Sequence, residues 1–266
     1  MPQGLAGVYV WRPALDKVEY VLCLLCFTQW LMLNNRRRTR DITPYDRSGK
    51  ILMTVQNTPK KSNFYFLMPD LESGPQPGVV FENVKQLLTP PRLILRPNDG
   101  GFPPLTEVPR LVFDPKKGVM PRDLEAGFSG YWLISERLHQ VFSTVDPEGF
   151  AFVECDFRME DGSKGPRYFL CDVVRVLDAL DEERSEVEIE VSDEFVEGKF
   201  YDFTGGARLA FRNDAVKEAH VFSLKYSGDC VFLDETMKDA VRKAGIGMNG
   251  NSDGLWLRDS SNWKDA

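Results

Sequence analysis

Residues Tyr131–Ser185 read YWLISERLHQVFSTVDPEGFAFVECDFRMEDGSKGPRYFLCDVVRVLDALDEERS. Changes of period along this stretch decide the fold class. Leu138, Val141, Phe142 and Val145 recur at the spacing of one helical face, and the Ser135 hydroxyl just before them is placed to accept an early backbone N–H. The spacing predicts a helix over Glu136–Thr144, ended by Asp146-Pro147. From Phe150 to Met159 the period drops to two: Phe150, Phe152, Glu154 and Asp156 alternate with Ala151, Val153, Cys155 and Phe157. Asp161-Gly162 supplies a hairpin-like turn, and Arg167–Leu177 reads as the returning strand. The stretch closes on an acidic corner at Asp178–Ser185.

Downstream, Ser185–Val191 (SEVEIEV) alternates, with Val187, Ile189 and Val191 expected inward. Phe200–Phe203, Ala207–Phe211 and His220–Leu224 are further strands. Asp234 is placed to cap a second helix, Glu235–Ala244, with Arg242 and Lys243 in its last turn and Gly245 at its C-cap. Gly254–Arg258 reads as a closing strand, and Asp259-Ser260-Ser261 as the start of a loosely held polar tail. Upstream, Phe64–Leu67, Arg92–Arg96 and Leu111–Phe113 are short strands, and Val84–Leu88 a short helix stopped by Pro90-Pro91. Proline is dense from Pro69 to Pro121, so this half is expected to be rich in loops. The expected class is α+β: a mostly antiparallel, twisted sheet with two main helices, at 135–145 and 235–244.

The chain has 266 residues, 42% hydrophobic and 27% charged, enough for an unaided core. Its five cysteines do not form a disulfide framework: the number is odd, and Cys155, Cys171 and Cys230 sit among apolar strand residues. They read as reduced core thiols of a cytoplasmic protein. Cys23 and Cys26 form a CxxC with no second pair and no nearby His, so no metal site is expected there.

Residues 1–52 carry net charge +4 and residues 53–266 carry −11. The first segment looks foreign to the rest. Val18–Leu33 (VEYVLCLLCFTQWLML) precedes a basic run at Arg36–Arg40, but its clean apolar part, Tyr20–Phe27, is far short of the ~20 residues of a membrane span. The basic run also follows the apolar one, unlike a secretory signal. Three readings stand: an extension from a misplaced start codon, a disordered or loosely docked arm, and a membrane anchor. Residues 53–266, opening at Met53, are expected to form one domain with no membrane association.

Catalytic machinery is hard to find. His139 and His220 are the only histidines; His139 lies one turn after Ser135, which is better explained as a cap. Gly205-Gly206 and Gly245-Ile246-Gly247 match no phosphate-binding pattern, and no cofactor is expected. Nucleic-acid binding would rest on Arg36–Arg40 alone, and none is expected. Carboxylates are plentiful: between Asp172 and Lys199 eleven acids face three bases. A carboxylate pair split in pKa by burial would make the chain a hydrolase or transferase. The commoner outcome for such a cluster is a solvated corner, and its sharper use is as an acidic surface for a cationic partner.

The pattern YWLIS-E-L (Tyr131–Leu138), DPEGFAFVECD (Asp146–Asp156) and YFLCDVVRVLDALDEERSEV (Tyr168–Val187) resembles immunity protein family 11, first described as a domain of unknown function. VFLDETMKDAVRKAGIGMNG (Val231–Gly250) is similar to the family's final helix and glycine turn. The resemblance implies a bacterial immunity protein of a polymorphic or secreted toxin system. Such a protein is no enzyme; it binds a cognate toxin and neutralises it by stoichiometric occlusion. The resemblance supplies no contact residues. The acidic composition points to Asp178, Asp181, Glu182, Glu183, Glu186 and Glu188 as the toxin-binding side chains, suited to a basic toxin such as a nuclease.

Overall fold

The computed structural model describes residues 64–262, apart from 73, 85–99, 129, 196, 204, 229 and 249–251. Residues 1–52, the helix expected at Val84–Leu88 and the strand expected at Arg92–Arg96 therefore lie outside the described residues, wholly or for the most part.

The strands are β1 (Phe64–Pro69), β2 (Val79–Phe81), β3 (Arg110–Phe113), β4 (Leu124–Phe128), β5 (Tyr131–Ser135), β6 (Phe150–Glu154), β7 (Asp156–Arg158), β8 (Tyr168–Val173), β9 (Val176–Leu177), β10 (Glu188–Val191), β11 (Lys199–Asp202), β12 (Val221–Leu224), β13 (Val231–Asp234) and β14 (Leu255–Asp259). The helices are α1 (Glu136–Val145), a single turn α2 (Asn213–Val216), and α3 (Glu235–Lys243). The class is α+β, as expected. Five strands form one sheet in the order β14-β1-β13-β12-β9, four form a second, β4-β5-β8-β6, and three form a small third, β2-β3-β7. A hairpin, β10-β11, stands by itself. Pairing is antiparallel except at β3–β7 and β9–β12.

Both main helices are capped as their sequences require. The Ser135 hydroxyl accepts from Leu138 N–H and the Asp234 carboxylate from Met237 N–H. Gly245 follows α3 with φ of 78°, the left-handed geometry that favours glycine at a helix end. Leu138 and Phe142 on α1, with Met237 and Val241 on α3, fill a core between the two larger sheets.

That core takes alternate residues from each sheet: Leu67, Val231 and Leu233 from one, Phe169, Cys171 and Val173 from the other. The intervening residues point the opposite way. Phe66, Phe222 and Phe232 enter a second core, closed by Tyr201, Phe203, Leu209 and Phe211. Tyr168 and Leu170 enter a third, with Leu111 and Phe157. Every residue of β8 is buried because both faces of its sheet are covered.

Two strands expected to be continuous are each shared between sheets. Phe150–Met159 breaks at Cys155: β6 pairs with β8, while β7 pairs with β3. The β6–β8 register, Glu154↔Phe169, carried forward would set Phe157 opposite Pro166. Cys155 N–H donates to Tyr168 C=O, so that pair would be the next hydrogen-bonded one, and proline has no N–H to give. The ladder ends there, and Asp156 N–H turns to Pro109 C=O at 2.8 Å. Arg167–Leu177 likewise divides into β8 and β9, which belong to different sheets.

At that second crossing the Arg175 guanidinium grips the Asp146 carboxylate, whose oxygens also accept the N–H groups of His220 and Val221. Burial pushes the Asp146 carboxyl up. Arg175 and the two N–H donors outweigh that and hold it below the usual carboxylate range. Beside this brace, a Cβ on Gly149 would lie 2.2 Å from Val221 Cγ1, so only glycine lets the sheets approach so closely.

Three further expectations are corrected. Val191 is 79% exposed rather than inward, because the hairpin projects past the core that holds Val187 and Ile189. Ala207–Phe211 makes only isolated bridges, Glu186↔Arg208 and Leu180↔Phe211, although Ala207, Leu209 and Phe211 are buried. The tail is not loose at its start: Ser260 is fully buried, donates to Phe64 C=O and accepts Leu209 N–H.

Candidate functional site

The acidic corner, Asp178–Ser185, buries both of its apolar residues, Ala179 and Leu180. Leaving β9, Ala179 and Leu180 turn into the second core, which leaves Asp178 and Asp181–Glu183 facing outward. Arg184 N–H closes a turn on Asp181 C=O and on its side chain. Asp178, Asp181, Glu182 and Glu183 then line one shallow, open depression with Leu180, Lys199 and Arg212. Glu186 and Glu188 lie beyond it, the latter opening β10.

Most of these acids already have basic partners within the chain. Arg212 donates to the Asp178 carbonyl and reaches its carboxylate at 3.3 Å. Arg184 is 3.7 Å from Asp181, and Arg208 is 3.2 Å from Glu186. Glu182 accepts from Lys199 at 2.5 Å and from the Tyr201 hydroxyl at 2.6 Å; Lys199 first, then Tyr201, hold its carboxyl below the usual range. Lys199 also sits 4.2 Å from the centre of the Tyr226 ring, a cation–π contact that fixes its stem. Among the described residues, Glu183 and Glu188 have no such partner. The sequence could not reveal this division. Arg212 is 34 positions from Asp178 and Arg208 is 22 from Glu186, so the chain must fold before they meet.

The other candidate catalytic groups make stacking, capping and ion-pair contacts. His139 stacks on Phe169 with centroids 3.9 Å apart and meets the edge of Phe152. Burial, reinforced by Arg167, lowers its pKa. Ser135, besides capping α1, donates to Asp123 at 2.5 Å, and Arg137 binds the same carboxylate. His220 Nδ1 is 2.8 Å from Asp234, the cap of α3. The buried acids Asp70 and Glu125 share Arg122, and Asp172 accepts Gly101 N–H at 2.6 Å. Burial drives the Cys155 thiol up to about 12, and raises Cys171 as well. Among the described residues no three metal-type side chains gather.

No helix of the described residues is long and apolar enough to cross a membrane. No curated protein matches the chain. The sequence profile described as Immunity protein family (Imm11) matches residues 63–262, three quarters of its length.

Proposed function

The chain belongs to the Imm11 immunity protein family, and we propose that it acts as this membership implies: it binds a cognate bacterial toxin and silences it by stoichiometric occlusion, without catalysis. The observation that carries the reading is the family match, which spans all three cores. The interior agrees with it. The buried ionisable groups named above are engaged in capping, bracing or packing, as suits a scaffold whose function lies on its surface.

The acidic corner is the contact surface we favour, and Glu183 and Glu188 are its most available carboxylates. Asp178, Asp181, Glu182 and Glu186 contribute field and shape, their charges being partly cancelled by Arg212, Arg184, Lys199 and Arg208. A toxin with a cationic groove, such as a nuclease, suits such a surface, because opposite charge speeds encounter and sets orientation. The protein would meet it in the cytoplasm, with residues 53–266 acting as one domain and residues 1–52 dispensable.

The test is co-expression of the full chain, and separately of residues 53–266, with the protein encoded immediately upstream. Survival of the host together with a co-purifying complex supports the proposal. An active, soluble toxin that still kills and forms no complex removes that pair as cognate partners.

A further inference from the structure

Among the described residues, hydrogen-bond parity leaves one side of β10 without a partner. The strand pairs with β11 in the register Glu188↔Asp202, Ile189↔Tyr201, Glu190↔Phe200, Val191↔Lys199. Tyr201 N–H points away from β10 and donates to Tyr226 C=O at 2.7 Å, while Ser192 N–H donates to Gly198 C=O at 3.2 Å. The ladder to β11 therefore uses Glu188, Glu190 and Ser192. Antiparallel alternation turns the N–H and C=O groups of Val187, Ile189 and Val191 outward. None of these outward groups has a partner among the described residues.

The side chains say what fits there. Val187 and Ile189 pack against the second core, and Val191, on the same face, is 79% exposed beyond it. Glu188 and Glu190 are exposed on the opposite face, and Asp193 and Glu194 follow at the strand's end; none of the four has an ion pair among the described residues. A second copy is a poor occupant. Two β10 strands paired antiparallel would set Glu188 against Glu190, and like charges directly opposite repel. An extended segment with Lys or Arg at alternate positions meets the reverse situation: its cations face Glu188 and Glu190, and its intervening apolar residues cover Val191.

We propose that the outer edge of β10 is a strand-docking site whose occupant is a cationic, alternating segment of the toxin. The source of that segment rests on the immunity reading; the chemistry of the edge does not. Main-chain bonds would supply affinity and the alternating side chains would supply selection, as in other cases of strand addition.

The experiment uses the full chain and a synthetic heptapeptide of alternating Lys and Val, with a Glu/Val peptide as control. Saturation with the Lys/Val peptide is expected to slow hydrogen exchange at the Val187, Ile189 and Val191 amides by about tenfold or more. The control peptide leaves them unchanged. The double variant Glu188→Lys/Glu190→Lys is expected to weaken Lys/Val binding by about tenfold at low salt, less at high salt. Val191→Pro removes one outward N–H, spares the ladder to β11, and is expected to weaken binding severalfold; Val191→Ala leaves the main-chain donor in place and should weaken it less. Both Glu188→Lys and Glu190→Lys are surface changes, so this arm holds even if the proline variant misfolds. No binding, binding without slowed exchange, or binding indifferent to the double variant overturns the proposal. Rescue from the toxin with an unprotected edge would refute the edge and leave immunity standing. A protected edge without rescue would leave the edge standing and remove that toxin as the cognate partner.

Discussion

The brace at Asp146 and the corner at Asp178–Glu188 are both acidic, and they use their charge in opposite ways. Asp146 is buried, and its carboxylate is filled by Arg175 and two backbone N–H groups. The corner acids are exposed or half-buried, and each of their ion pairs is an open one across a surface turn or bridge. An ion pair that excludes water holds sheets in register, and losing one partner strands the other at high cost. A pair in solvent contributes ~0–1 kcal/mol and can be exchanged for a partner's charge with little loss. The fold thus depends on the first kind, while the second is free to serve recognition.

Measurements at four places in the fold would break or sharpen that contrast. The largest effect belongs to the core beside the brace. Phe142 is fully buried and stacks on Phe150 at 4.3 Å, so Phe142→Ala is expected to cost ~3–5 kcal/mol in urea unfolding. A cost below about 1 kcal/mol would mean that α1 is not part of the cooperative core.

Asp146→Ala comes next, at about 3 kcal/mol, since Arg175 would remain largely buried without its carboxylate. The same group predicts a pH effect. Its folded pKa is lowered, so its stabilisation is complete above the ordinary carboxyl value of about 4 and is lost as pH falls through the folded value. Wild type should therefore lose more stability than Asp146→Asn on going from pH 5 to strongly acid solution. Parallel losses would show that the brace carries no net pH linkage.

The cap variant Asp234→Ala should cost ~1 kcal/mol, because Met237 N–H loses its acceptor and His220 its neighbour. No change in thermal midpoint would place the start of α3 outside the cooperative unit.

The smallest stability effect belongs to the corner. Glu183→Lys and Glu188→Lys should each stay within ~0.5 kcal/mol of wild type while slowing toxin association at low salt. Asp178→Ala should slow it less, since Arg212 already offsets that charge. Equal on-rates across all three would detach the corner from binding.

Legibility followed the range of the interactions involved. Ser135 with Leu138, and Asp234 with Met237, are contacts three residues apart, so the caps and both main helices were readable within a few positions. The period-two pattern of Phe150–Phe157 was also readable, and its two faces do enter different cores. YWLIS was not recognised as β5, because its burial comes from β4 and β8, the latter more than thirty residues downstream. The acids were legible as residues, but their distant partners Lys199, Arg208 and Arg212 were not.

By itself, then, the sequence determined the class, the two capped helices, the family and the acidic excess of the chain's main body, because each is written in neighbouring residues or in bulk composition. The tertiary structure alone decided where one apolar run leaves a sheet for another, which acids are cancelled, and that no described residue pairs with the outer edge of β10. Those outcomes turn on Pro166 standing where the β6–β8 register would next need an N–H, on Arg175 reaching Asp146, and on Tyr201 giving its N–H to Tyr226. Each is a meeting of distant residues that chain closure alone brings about.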